Sequence, residues 1–275
     1  MELSFQELSL SGAVLACLGL SSLFVVSLYV VDPGLSRNHP KTVRRRLFAI
    51  VGVCFCSPLY IWLCSDTHVK DGQSMLELLG VYTSEGLVRA LIVPLLLVLV
   101  LYAGPIVQCL SEGDNPFEHI AGERWDLIIR NYMIAPFAEE FVFRACMMPL
   151  LLPTLGPLWT ILCSPLLFGL AHVHHLLDWF RRKDGTSFMN ALLGVLLQVA
   201  YTSIFGVFSA FLFNRMGHLV TPVASHVLCN ALGLPPFDTL GSHHHRNIVA
   251  AVYVIGLLVF LLLLWPLTSA SMALF

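Results

Sequence analysis

Charge is what this sequence has least of. Only 12% of its 275 residues are charged, against about 25% in a typical soluble domain. That scarcity excludes a soluble cytosolic enzyme, a disordered chain and a nucleic-acid binder with a basic face. The net charge of −2 implies no global electrostatic partner. No Asn-x-Ser/Thr sequon occurs, so glycosylation marks no loop. No CxxC pair occurs among the eight cysteines, at 17, 54, 56, 64, 109, 146, 163 and 229, and none is spaced as in a zinc knuckle. They read as small buried hydrophobes. The templates HExxH, Gly-x-Gly-Asp and Gly-x-Ser-x-Gly are also missing. Zincin, aspartyl intramembrane and nucleophile-elbow chemistries therefore have no foothold.

What is present is apolar length. Mean hydropathy is +0.81. Residues 10–31, 47–64, 90–111, 145–171, 188–213 and 247–275 carry no charge. Runs of this length belong in a bilayer. The first is not a signal peptide: Glu2 and Glu7 precede it where a basic region is required. The expectation is an all-α polytopic integral membrane protein. About eight transmembrane helices would enclose an intramembrane cavity, near 10–31, 47–64, 88–110, 127–153, 155–173, 188–214, 216–234 and 248–268. No repeat or linker divides the chain, so residues 1–275 read as one domain with its motifs within about 127–234. Arg37, Lys41, Arg44, Arg45 and Arg46 make the first loop basic, and Arg181, Arg182 and Lys183 the fifth. The second, with Asp66, Asp71, Glu77 and Glu85 against Lys70, is mostly acidic. With eight spans the two basic loops share a side, which the positive-inside rule makes cytosolic.

Three polar groups break the apolar background. The first is Pro136-Phe137-Ala138-Glu139-Glu140-Phe141-Val142-Phe143-Arg144. One ionised group at a helix centre costs about 2.5–3.5 kcal/mol in lipid, and three unpaired ones roughly 8–10 kcal/mol. Arg144 follows Glu140 by four residues, so the two can pair on one face. Glu139 points about 100° away. The pair would hold the helix, and Glu139 would face a cavity as a general base. Pro136 suits the first turn of a helix or a kink. A buried ion network that only holds helices together is the competing reading.

The second group is Phe168-Gly169-Leu170-Ala171-His172, followed by Val173-His174-His175. Gly169 and Ala171 allow close helix approach. His172 alone is as well explained as a helix-end residue. In the third, Ser225-His226-Val227-Leu228-Cys229-Asn230, His226 and Asn230 share a helix face. They can be interhelical glue or two donors for an oxyanion. A carboxylate, imidazoles and donors together are the inventory for water-activated amide hydrolysis.

Glu139-Glu140-x-x-x-Arg144, Phe168-x-x-x-His172 and His226-x-x-x-Asn230, in this order and in apolar surroundings, resemble the type II CAAX prenyl endopeptidases. These are the Ras-converting enzymes of the abortive-infection superfamily. The resemblance runs from about residue 20 to 268. It implies an endoplasmic-reticulum, multi-pass enzyme open to the cytosol and the bilayer. Such an enzyme removes the aaX tripeptide from prenylated CAAX proteins such as Ras and related small GTPases. By motif, Glu139 and His172 would activate water, His226 and Asn230 would form the oxyanion hole, and Glu140 and Arg144 would support them. Neither a cofactor nor a metal is expected, although Glu139, His172 and His226 are a set that can in principle hold zinc. His174 and His175 are expected at the cytosolic mouth. Membrane lipid is an expected partner and nucleic acid is not. A non-catalytic lipid- or partner-binding scaffold is the alternative outside enzymology. A proton-coupled transporter is disfavoured because no inverted repeat is visible.

Overall fold

The computed structural model describes all residues except Met1, Ser4, Gln6, Glu7, Pro33, 66–72, 83–85, 183–184 and 270–275, and Glu2, Leu3, Gln73 and Arg182 by their backbone alone. Asp66, Lys70, Asp71, Glu85 and Lys183, counted above in the charged loops, thus lie outside the described residues, as does Glu7.

The chain is a helical bundle. Its longer helices are α1 (Leu10–Val30) and α2 (Pro40–Leu63), then a pair bent by 58°, α3 (Leu87–Leu101) and α4 (Ala103–Ser111). The motif segment follows. It comprises α5 (Trp125–Ile129), a π turn at Arg130–Ile134, α6 (Ala135–Glu140) and a second π turn at Phe141–Cys146. Then come α7 (Met148–Ala171), α8 (His174–Arg182), α9 (Phe188–Met216), α10 (Val220–Leu232) and α11 (Arg246–Leu267). A two-residue antiparallel ladder joins Glu2–Leu3 to Gln73–Ser74.

Five helices are long and apolar enough to cross a membrane: α1, α2, α7 with its continuation to Arg181, α9 and α11. The bent α3–α4 pair makes six if it counts as one span. The two other segments expected to span, 127–153 and 216–234, carry the polar motifs, the first on α5, α6 and the two π turns and the second on α10. They are broken or short, so a test of length and hydropathy passes over them. The outer surface is apolar, with Phe55 79% and Leu262 74% exposed, as lipid contact requires. Helices meet through small residues instead. A Cβ on Gly169 of α7 would stand 2.9 Å from the Val199 carbonyl of α9, and one on Gly256 of α11 would stand 2.7 Å from the Val100 carbonyl of α3.

One boundary differs from the hydropathy reading. Helix α2 starts at Pro40, seven residues before the apolar run, because Pro40 opens its first turn and His39 caps it. Its basic turns are helical yet lie outside the apolar stretch. The break that Pro153-Thr154-Leu155-Gly156-Pro157 announces falls at Gly156, whose φ of 69° places it in the left-handed region.

The two basic loops meet at one end of the bundle. Arg46 bridges Asp32 at 3.1 Å and Asp178 at 3.3 Å, and Tyr29 donates to the His174 carbonyl at 2.8 Å. At the other end Leu219 N–H donates to the Gly80 carbonyl at 3.0 Å.

Candidate active site

The motif segment is an unusual helix for a sequence reason. Pro136 occupies its first α turn after the Arg130–Ile134 π turn. In that turn the Ala135 N–H bonds the Arg130 carbonyl five residues back. Pro136 has no N–H to do the same for Asn131. The Asn131 carbonyl instead accepts a hydrogen bond from Asn230 Nδ2 at 3.0 Å. Asn230 thus stitches α10 to the motif segment, and its second amide hydrogen remains. The paired carboxylates follow directly, between two π turns, a backbone irregularity that recurs at functional sites.

Glu140 is fully buried and saturated. Its carboxylate accepts from Arg144 Nε at 3.1 Å, from His226 Nδ1 at 2.7 Å and from the Ser209 hydroxyl of α9. The pairing of Glu140 with Arg144 that the four-residue spacing suggests is therefore present. The Arg144 guanidinium lies 4.3 Å over the Phe168 ring. Its two terminal nitrogens have no hydrogen-bond partner, so the ring face is their main compensation. Gly206 leaves room for them: a Cβ there would stand 3.1 Å from Arg144 Nη2 and 2.7 Å from Pro165 Cβ.

Glu139 faces the other way. It lines a cavity of about 120 Å³ together with His172, His174, His175, Phe168 and Phe143. That is room for several waters. His172 Nδ1 lies 2.9 Å from the Phe168 carbonyl. A carbonyl only accepts, so the proton is on Nδ1 and the neutral ring keeps its Nε2 lone pair. His226 joins the two carboxylates from behind: its Nδ1–H is held by Glu140, and its Nε2 lies 3.8 Å from Glu139 Oε2. The Phe205 ring packs against it at 4.8 Å.

Glu139, Glu140, Arg144, His172 and His226 are thus gathered around Phe168. Neither His226 nor Asn230 lines the cavity that holds Glu139 and His172. A larger groove of about 600 Å³, bordered by Leu76, Tyr82, Phe137 and Val223, has almost no polar lining and offers no comparable chemistry. Among the described residues the set whose ligand atoms all lie within 4.8 Å of one another is His174, His175 and Asp178. Glu139, His172 and His226 do not converge in this way, and Asp178 is already bridged to Arg46.

Sequence reasoning missed Ser209 and Arg37. Ser209 lies three residues after Gly206 on the same face of α9, a small polar patch that was its one signal. Arg37 counted only as loop charge, yet its side chain borders the cavity.

Comparison with known proteins follows the same residues. The family model for type II CAAX prenyl endopeptidase Rce1-like matches residues 122–232. CAAX prenyl protease 2 of Homo sapiens is 38% identical over 272 residues, covering 94% of this chain and 82% of that protein. CAAX prenyl protease 2 of Arabidopsis thaliana is 32% identical, with 97% and 93% covered. The Caenorhabditis elegans protein of that name is 30% identical, with 93% and 96% covered. No solved structure matches significantly. On this identity and coverage, the chain belongs to the Rce1-like family of type II CAAX prenyl endopeptidases.

Proposed function

We propose that the protein is an intramembrane endopeptidase that removes the aaX tripeptide from prenylated CAAX proteins, Ras-type small GTPases among them. It acts in the endoplasmic-reticulum membrane, with the cavity open to the cytosol. The observation that carries this reading is the shared cavity: Glu139 and His172 border one space, while Glu140, equally charged, is fully engaged elsewhere.

In this mechanism Glu139 takes a proton from a water that also donates to His172 Nε2. The oxygen attacks the carbonyl carbon of the prenylated cysteine. His226, as an imidazolium held through Nδ1 by Glu140 and donating from Nε2–H, stabilises the oxyanion together with the remaining amide hydrogen of Asn230, the scissile carbonyl reaching toward them from the cavity that Glu139 and His172 line. The C–N bond then breaks, and the departing amine takes the proton from Glu139. Glu140 and Arg144 keep His226 and the helix in place. A volume near 120 Å³ is well below the roughly 300–1,000 Å³ of ligand pockets. The prenyl chain therefore stays in the bilayer, where it is already dissolved, only the peptide around the scissile bond fills the cavity, and the residues beyond it extend through its open mouth.

The test is cleavage of a farnesylated CAAX peptide by the purified protein, with and without a strong chelator. Release of the tripeptide in both is expected. No release from any prenylated peptide sinks the reading. Loss with chelator and recovery on adding zinc replaces it with a metal-dependent protease.

A further inference from the structure

The cavity holds a cation that the proposed chemistry does not use. Three arginines border it: Arg37, Arg46 and Arg130. Two are committed. Arg46 bridges Asp32 and Asp178, and Arg130 donates to the Asn131 and Asn38 side chains, both within 3.0 Å. Arg130 also reaches the backbone carbonyl of Arg37 at 3.4 Å and so tethers that loop. The Arg37 guanidinium makes no hydrogen bond or ion pair among the described residues. Its charge is near enough to act on Glu139, His172 and Tyr201. Arg37 is exposed at the mouth of the cavity, with Asp178 and Glu139 the carboxylates that act on it, so an anion entering there meets a guanidinium that no hydrogen bond or ion pair among the described residues engages.

From this we infer that Arg37 is the subsite for the free α-carboxylate of the substrate's last residue. The inference rests on the endopeptidase reading and deepens it. A peptide cut three residues from its end carries its carboxylate about 10 Å beyond the scissile bond when extended. That places the anion at the cytosolic end of the cavity while the bond sits at Glu139. The apolar wall of Phe24, Val25, Leu28, Val43, Leu47 and Ile50 suits the two intervening side chains. A guanidinium meets a carboxylate through two parallel hydrogen bonds, which fixes direction as well as charge. Arg37 would then act as a ruler. It admits chain ends and sets how many residues leave.

The experiment compares two farnesylated peptides that differ only in a C-terminal carboxylate or carboxamide. The wild-type protein is expected to favour the acid by about tenfold to a hundredfold in kcat/KM, mostly through KM, as one charge-assisted contact would give. Arg37→Ala is expected to bring the ratio near one, Arg37→Lys to keep part of it, and Arg45→Ala, which removes a nearby exposed charge, to keep all of it. An unchanged ratio in Arg37→Ala overturns the inference. So does a wild-type protein that cuts both peptides equally, which would fit an arginine that serves a lipid phosphate instead. If Arg37→Ala has no measurable turnover, the ratio in Arg37→Lys decides, and the wild-type value there overturns the inference. A wild-type protein that cuts neither peptide overturns the endopeptidase reading itself.

Discussion

Glu139 and Glu140 are neighbours in the chain and opposites in surroundings. Glu140 points into packed protein, where Arg144, His226 and Ser209 all bond it and no solvent reaches it. Glu139 points into a water-sized cavity, its nearest basic atom 3.8 Å away. One step of 100° around a helix separates a structural anion from an available one. The difference shows how a bilayer protein can keep one carboxylate available: the neighbouring carboxylate takes the cation, and the fold leaves Glu139 facing a cavity.

Substitutions test whether that division holds. The largest effect is expected at Glu139→Gln. Loss of a general base should lower kcat by about 10²–10⁴-fold, with the melting temperature in detergent close to wild type. A large fall in melting temperature would show that Glu139 is structural too. Arg144→Ala attacks the other side. Stripping one partner from a buried pair typically costs about 3–5 kcal/mol, so thermal unfolding should shift strongly, and a stable variant would contradict the pairing. Gly206→Ala crowds the same guanidinium without touching a charge. Overpacking of this kind costs about 1–3 kcal/mol, and the clash with Pro165 at 2.7 Å leaves little room to relax. Ser209→Ala removes one of three bonds to Glu140. About 1 kcal/mol of stability should go, with turnover within a few-fold of wild type. If Ser209→Ala instead silenced the protein while leaving it folded, Glu140 would have to be counted with the chemistry.

Much of the site was legible because charge in lipid is costly. Glu139, Glu140 and Arg144 stand out in any apolar helix, and the four-residue spacing suggests which two pair. Spans were legible wherever helices are apolar throughout, as α1 and α11 are. What stayed hidden depends on contacts between distant segments. Nothing near Ser209 announces that it meets Glu140, 69 residues away. The π turns leave no mark in hydrophobic periodicity, since they alter the count per turn for five or six residues only. The role of Asn230 toward Asn131 could be reasoned only once Pro136 was known to follow a π turn. Hydropathy also reads the membrane rather than the helix, which is why it starts α2 late and extends α10 to 216–234, although the helix that brings His226 to the carboxylates has only 13 residues.

The small cavity has one more consequence. On the proposed function, a binding site that takes the peptide but leaves the prenyl chain outside is only half made of protein; lipid is the other half. Substrate is then met in two dimensions, and its effective concentration is a mole fraction of the membrane. Adding inert lipid at constant peptide should slow turnover by surface dilution, and an inhibitor that lacks a membrane anchor has only a few waters' worth of space in which to compete.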